Sequence, residues 1–386
     1  MARTTVDTRM GGPQIGSEAP KRASREVISW FSSCLTAAKS ARGARDRDNG
    51  PVSTTPKAET LAELTAPVDL CDALGGLNPD AVGWARGPMV RANLRGRGRS
   101  KRWEYWAVMS PASVLAVTVS DLDYATLHAV YYRDADGGEI AEHALTPFGR
   151  VALPESCGAG PVHVRTRDLS IHLKPTTSGM HLRVKGLRVE ADVRVHRPGG
   201  HEALAVVVPW SRRLFQHTVK ENTLPATGQI TVDGATTDLT GAWATLDHGR
   251  GRWPYAITWN WGSGSGLVDG RVVGVQVGGR WTDGTGSTEN ALCVDGTVHY
   301  IGEDLAWGYD RDEWLAPWTV RSPESDRVDL VFHPEHVRAD QTSLLLVANT
   351  THQAFGTWTG TMTDDSGRQV RVDGVRGWAE EVVNRW

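Results

Sequence analysis

Leu187-Arg188-Val189-Glu190-Ala191-Asp192-Val193-Arg194-Val195-His196 alternates apolar with charged or polar residues without a fault. A period of two turns the apolar side chains to one face and the charged ones to the other, the mark of an antiparallel strand lying half in a core and half in water. Just upstream, Leu182 and Val184 keep the opposite phase with Lys185-Gly186 between, so the slip predicts a bulge or a tight turn. Val328, Leu330 and Phe332 alternate again, as do Val370 and Val372. Asp-Gly pairs at 136–137, 233–234, 269–270, 283–284, 295–296 and 373–374 supply hairpin turns between short strands. With no helical run of ordinary length between residues 100 and 370, the pattern predicts an all-β chain of barrels or sandwiches.

The rest of the 386 residues fits around that pattern. Residues 1–58 are rich in Ser, Thr, Ala, Arg, Gly and Pro and read as a mobile basic extension, with a short amphipathic helix allowed over Val27, Trp30, Phe31, Cys34, Leu35 and Ala38. Ser29, Ser32, Ser33 and Thr36 interrupt the apolar run that follows the basic flank, which argues against a signal peptide. Glu59–Leu64 and Val68–Leu74 are expected to form short helical turns; residues 59–240 and 241–386 are expected to form a first and a second β-barrel domain. The net charge of −3 gives no reason to expect nucleic acid or an acidic membrane as partner, although nine basic and five acidic residues in the first fifty leave −7 on the remainder. Cys34, Cys71, Cys157 and Cys293 are scattered and form no C-x-x-C pair, a usage that fits a reducing cytoplasm. No run approaches the ~18 apolar residues of a membrane span.

Sixteen tryptophans against five phenylalanines suit a large binding cavity, because indole offers wide apolar area with one polar N–H. They concentrate in Asp247-His248-Gly249-Arg250-Gly251-Arg252-Trp253-Pro254-Tyr255-Ala256-Ile257-Thr258-Trp259-Asn260-Trp261-Gly262. A strand here turns Tyr255, Ile257, Trp259 and Trp261 to one face. That stripe either fills a barrel, with Asp247 and His248 capping a turn, or lines a ligand cavity with Asp247 and His248 supplying proton chemistry at its mouth. Neighbouring strand residues face opposite ways, so both enter one cavity only if Gly249 and Gly251 make the backbone irregular. Arg250 or Arg252 beside Asp247 would make it a salt bridge in place of an acid.

Other motifs divide the same way. Lys101-Arg102-Trp103-Glu104-Tyr105-Trp106 is either an edge strand with Trp103 and Tyr105 packed on one face, or a second wall of the cavity. Glu289-Asn290 follows a glycine-rich hairpin loop at Gly278–Gly286 and offers a further carboxyl. Asp121-Leu122-Asp123 lacks the other ligands of a calcium loop, and Pro334 within His333-Pro334-Glu335-His336 breaks the helix a two-histidine site would use, so that stretch is expected to be a surface turn. No metal and no cofactor are expected.

From about Leu70 to Trp386 the chain resembles a bacterial family known as domain of unknown function 2804. The resemblance rests on Gly83-Trp84, Lys101-Arg102-Trp103-x-Tyr105-Trp106, Asp123-Tyr124, Asp247-His248-Gly249-Arg250-Gly251-x-Trp253-Pro254-Tyr255, Trp259-Asn260-Trp261, Gly284-Thr285-Gly286-x-x-Glu289-Asn290, His352-Gln353-x-Phe355-Gly356, Gly377-x-Ala379-Glu380 and Asn384-Arg385-Trp386. More distantly, Asp-His followed by Trp-x-Trp-Gly is similar to the lipocalin-like carotenoid 1,2-hydratase and tocopherol cyclase group. That similarity implies two calycin-type antiparallel barrels packed together, with Asp247 and His248 protonating an isoprenoid alkene and aromatics steadying the cation; here Gly-Arg-Gly-Arg replaces the group's more compact segment. Three functions follow as expectations. The chain binds a hydrophobic or amphiphilic small molecule using Arg250, Trp253, Tyr255, Trp259, Trp261, Trp103, Tyr105 and Glu289. Alternatively it is a hydratase, cyclase or isomerase with Asp247 as acid and His248 as partner, or a carbohydrate binder with an open aromatic shelf.

Overall fold

In the computed structural model, residues 61–96, 99–343 and 348–385 are described, and they belong to one unit that runs from Pro56 to Trp386. The helix expected over Val27–Ala38, the basic extension and Cys34 lie outside the described residues.

The alternating stretch forms the strand Val189–His196, in which Val189, Ala191, Val193 and Val195 are buried. The phase slip is a tight turn: Gly179–Lys185 folds back on it with Leu182 opposite Val193 and Val184 opposite Ala191, so both phases feed one core. Leu187, expected on the buried face, is instead 73% exposed in that turn. The turn is held by Glu142, whose carboxylate accepts the backbone N–H groups of Leu187, Arg188 and Val189 at 2.7, 2.8 and 3.0 Å. Three Asp-Gly pairs make two-residue hairpins with both residues in the left-handed region: Asp233-Gly234 at φ 49 and 84°, Asp269-Gly270 at 51 and 78°, Asp295-Gly296 at 51 and 84°. Two successive left-handed residues match the twist of the flanking strands, which is why these dipeptides punctuate the chain.

The chain is all-β, with two curled antiparallel sheets packed together. The main path of the first sheet runs Glu139–Pro147, Ala125–Asp134, Ser113–Asp121, Ser100–Met109, Ala242–Arg252, Phe215–Val232, Val189–His196, Gly179–Lys185, Ser170–Thr176 and Val162–Arg165. Ile140 from one edge and Val162 and Val164 from the other share a core with Val117, Leu173 and Val193 between them, so the sheet curls until its two edges enclose a packed interior. The second sheet runs Thr297–Ile301, Asn290–Val294, Arg271–Gly279, Ala256–Val268, Val375–Arg385, Ala348–Thr363, Val328–Ser343, Trp318–Arg321 and Ala306–Gly308. Leu292, Ile301, Trp318, Phe332 and Trp358 fill its interior. Gly262 and Gly264 are required there, because the Trp358 indole lies where their Cβ atoms would stand. The chain crosses from the first sheet to the second between Arg252 and Ala256, so Asp247 and His248 belong to the first and Trp259 and Trp261 to the second.

Several local expectations are corrected. Val68–Asp69 is not helical but pairs in parallel with Val90–Arg91, and the Asp72 carboxylate turns the chain by accepting the N–H groups of Leu74 and Gly76. Among the described residues the helical piece is the short 3₁₀ turn Pro79–Ala81, capped by Asn78. Ser100–Met109 is an interior strand, paired on both sides, and not an edge. His333–His336 is no surface turn; it lies within the strand Val328–Ser343, where a bulge between Pro334 and His336 accommodates the missing proline N–H.

The two sheets stack through the faces that turn away from their own cores. Ala107, Met109, Val114, Ala116 and Tyr131 of the first meet Trp261, Phe355 and Trp378 of the second. Tyr131 stacks on Phe355 with ring centroids 5.8 Å apart. Beside this dry contact the sheets part around a cavity.

Candidate functional site

Register alone brings the cavity residues together. Across the first sheet, Lys220, Asp247, Tyr105 and Thr118 stand directly opposite one another on four adjacent strands and point toward the second sheet. Across the second, Trp261, Glu380, Gln353 and Arg338 form the matching row. Two residues along the strands, Thr218, Gly249, Trp103 and Ser120 extend the first wall. Gly249 has no side chain because the Trp103 indole crosses its strand at that point. Trp253, Trp259, Trp281 and Glu289 close the same end, and the cavity volume is about 330 Å³. Trp253 stacks on Trp281 at 5.6 Å and meets Trp103 and Trp259 edge-on at 5.5 and 6.0 Å. The rings face a hollow between two sheets, not a solvent-exposed shelf; Trp253, Trp261 and Trp281 are each 6% exposed.

At the aromatic end lies a buried charge cluster. Lys220 Nζ sits 3.0 Å from Asp247 Oδ1, 3.5 Å from Glu289 Oε1 and 4.1 Å above the Trp261 ring. Trp103 Nε1 donates to Asp247 Oδ2 at 2.9 Å and Thr218 Oγ1 donates to Oδ1 at 3.3 Å. Burial pulls the Lys220 ammonium down, but Asp247 and Glu289 outweigh it and the net shift is upward, so the lysine stays charged. Glu289 receives the Trp281 N–H at 3.1 Å, and Glu380 receives those of Trp259 and Gln353, each at 2.9 Å. Burial pushes both carboxyls up to about 7, against the smaller opposing pull of Lys220 on Glu289 and of the Trp259 N–H, then Lys220, on Glu380. Burial also pushes the Tyr105 phenol upward. Two carboxyls poised near neutrality and one fixed ammonium in an aromatic hollow can exchange protons with a bound molecule.

Of the residues singled out from sequence, Asp247, Trp103, Tyr105, Trp253, Trp259, Trp261 and Glu289 line the cavity together. His248 and Arg250 do not reach it. The strand Ala242–Arg252 keeps unbroken register with Ser100–Met109, so its glycines make no irregularity and the two residues face the opposite way. There His248 Nδ1 and Arg250 Nη2 meet Glu104 Oε1 at 2.8 and 3.0 Å, all three buried on the other face of the first sheet. Burial, then Arg250, holds His248 below the usual imidazole range. Tyr255 precedes the strand Ala256–Val268 and is 41% exposed. Arg252 also turns away, to the Gly75 carbonyl at 2.6 Å, so the partner of Asp247 is Lys220 and neither arginine. Sequence reasoning missed Lys220, Trp281, Glu380, Gln353 and Arg338 as site residues, although Gln353 and Glu380 stand in the segments that carry the family resemblance.

Fold and site define an all-β protein of two curled antiparallel sheets with an aromatic, charge-bearing cavity between them. The chain belongs to the family described as domain of unknown function (DUF2804), which matches residues 61–386. No curated protein matches it by sequence. Among solved structures it is similar to CghA with Sch210972, at 15% identity over 74% of this chain and 88% of that one with a TM-score of 0.48. It is also similar to a putative AttH from Nitrosomonas europaea, at 12% identity over 73% and 92% with a TM-score of 0.45. A third similar structure is kievitone hydratase from Nectria haematococca, at 8% identity over 75% and 89% with a TM-score of 0.43. Likenesses this remote carry no statement about substrate. No helix among the described residues is long and apolar enough to cross a membrane.

The raised carboxyls give stability a pH dependence. The folded chain keeps a proton on Glu289 and Glu380 up to about pH 7, whereas the unfolded chain releases it near the ordinary value of 4.5, so stability is lost as pH rises through that window. Glu289→Gln removes one of the two titrations. Urea unfolding is expected to show the variant gaining on wild type by about 2 kcal/mol between about pH 5 and about pH 8; parallel pH profiles would contradict it.

Proposed function

We propose that the chain binds a hydrophobic or amphiphilic small molecule, isoprenoid-like or lipid-like in build, in the cavity between its two sheets. The observation that carries this reading is the convergence of Trp103, Trp253, Trp259, Trp261 and Trp281 on one hollow of about 330 Å³. Indole walls remove apolar surface from water at roughly 25 cal/mol per Å², and an enclosed pocket gathers that gain on both sides of a guest. A sugar would stack on an exposed aromatic platform, whereas Trp253, Trp261 and Trp281 are buried, which favours the apolar guest. The free thiols of Cys71, Cys157 and Cys293 support a reducing, cytoplasmic setting. The expected division into two β-barrel domains is kept as a proposal, with its boundary moved from residues 240/241 to the crossing between Arg252 and Ala256, because Ala242–Arg252 pairs within the first sheet.

Farnesol, a probe of fitting size, should quench the indole fluorescence of the full chain saturably at one site. Thr118→Trp fills the facing wall without removing an aromatic, and it should weaken that quenching at least tenfold while leaving the circular dichroism spectrum unchanged. Non-saturating quenching, equal in both proteins, would remove the reading.

A second reading, acid–base catalysis of the hydratase, cyclase or isomerase kind, is favoured by the two carboxyls held near 7 against the cavity. Asp247 is tied into the ion pair with Lys220, so the proton donor in this reading is Glu289, with Glu380 as the second carboxyl lining the cavity. For hydration, Glu289 would protonate an alkene carbon, the indole faces would steady the cation, water would add, and its proton would return to the carboxylate. Incubating protein and farnesol in water enriched in oxygen-18 should then give an alcohol carrying one added label. Glu289→Gln should abolish that product while still quenching with farnesol; no labelled product, or an equal yield from the variant, excludes the hydratase form.

A further inference from the structure

The far end of the cavity from Lys220 holds a second cation, Arg338. It is half-buried and its guanidinium lies 4.4 Å over the Tyr131 ring. Among the described residues no carboxylate comes within 4.0 Å of it. The acids around it are otherwise placed. Glu139 accepts the Tyr131 hydroxyl and meets His336, Glu380 is taken by Trp259 and Gln353, and Asp340 stands exposed two residues on along the same strand. Lys220, by contrast, is already matched by Asp247 at 3.0 Å. With Glu289 and Glu380 protonated, the cavity is charge-balanced at its aromatic end, and at the other end Arg338 forms no ion pair with a described residue.

Register also gives the distance between the ends. From Trp261 to Glu380, Gln353 and Arg338 there are three steps between adjacent strands, and at about 4.8 Å a step the ends lie about 14 Å apart. The wall opposite mixes Tyr105, Thr118 and Ser120 with Leu122 and Leu127, while Thr351 and the exposed Asp340 pair in register next to Arg338 and Asn349 pairs with Asn384 two residues further along. A partly desolvated guanidinium beside an aromatic face is a carboxylate receptor, since its fork matches two oxygens and its charge is not otherwise met.

The geometry points to an anionic amphiphile as the guest: a carboxylic acid with an apolar chain of roughly 14 Å, its head on Arg338 and its tail end among the indoles of Trp253, Trp259 and Trp261. This deepens the binding reading above and rests on it. A charge-assisted pair of this kind corresponds to about a tenfold or greater gain in affinity.

The test compares farnesoic acid with farnesol, which share a chain and differ in the head, by indole-fluorescence titration of the full-length protein at about pH 6, where Glu289 and Glu380 keep their protons and the acid is ionised. Wild type should bind the acid at least tenfold more tightly than the alcohol. Arg338→Gln should lower the affinity for the acid at least tenfold relative to farnesol and so bring the two to parity, and Arg338→Lys, which keeps the charge and guards against a folding defect, should keep most of the preference. Equal affinity of wild type for both probes, or a preference that survives in Arg338→Gln, overturns the anionic-guest inference and leaves the binding reading standing. If neither probe binds, both fall together.

Discussion

The structure turns on one buried ion pair. Lys220 and Asp247 stand directly opposite on adjacent strands, both nearly out of solvent, on the face where two β-sheets meet. An ammonium in such a place is costly unless its charge and its protons are met, and a carboxylate likewise. Here the pair is met from both sheets: Trp103 and Thr218 donate to the acid, and the Trp261 face lies beneath the lysine. That arrangement explains why the interface is not uniform. Where Ala107, Ala116, Tyr131, Phe355 and Trp378 meet, it packs dry; where Lys220 stands, indoles and carboxyls must gather round the charge, and the hollow results.

Glu289 and Glu380 follow from the same constraint. Asp247 already answers the lysine at 3.0 Å, so further carboxyls drawn into the same low-dielectric space are held toward their neutral forms by burial. Their indole and amide donors, Trp281, Trp259 and Gln353, fix the orientation of each. The tryptophan richness of the chain thus has two uses at once, as apolar wall and as a set of N–H donors that satisfy buried acids without adding charge.

Most of the fold was legible because period-two alternation and Asp-Gly turns are local signals: Val189–His196 and the hairpins at 233, 269 and 295 needed no tertiary information. The aromatic stripe of Trp259 and Trp261 was legible for the same reason. His248 and Arg250 were placed with Asp247 because glycines flank them, but those glycines answer the Trp103 ring and the Gln216 side chain and leave the strand regular, so parity sends the two residues to the other face. Lys220 was hidden in Gln216-His217-Thr218-Val219-Lys220-Glu221-Asn222, a run that reads as solvent-facing yet is buried throughout. Its burial depends on the second sheet, which no local pattern announces. Arg338 and Glu380 were invisible for the same reason: what defines them is the residue across the interface.

A double-mutant cycle on Lys220→Met and Asp247→Asn, read by urea unfolding, tests this account most directly. If the pair organises the interface, each single change is strongly destabilising and the double change recovers a coupling of about 2 kcal/mol or more. Additive effects, with coupling below about 0.5 kcal/mol, would mean that the two charges do not depend on one another and that the cavity is held open by something else.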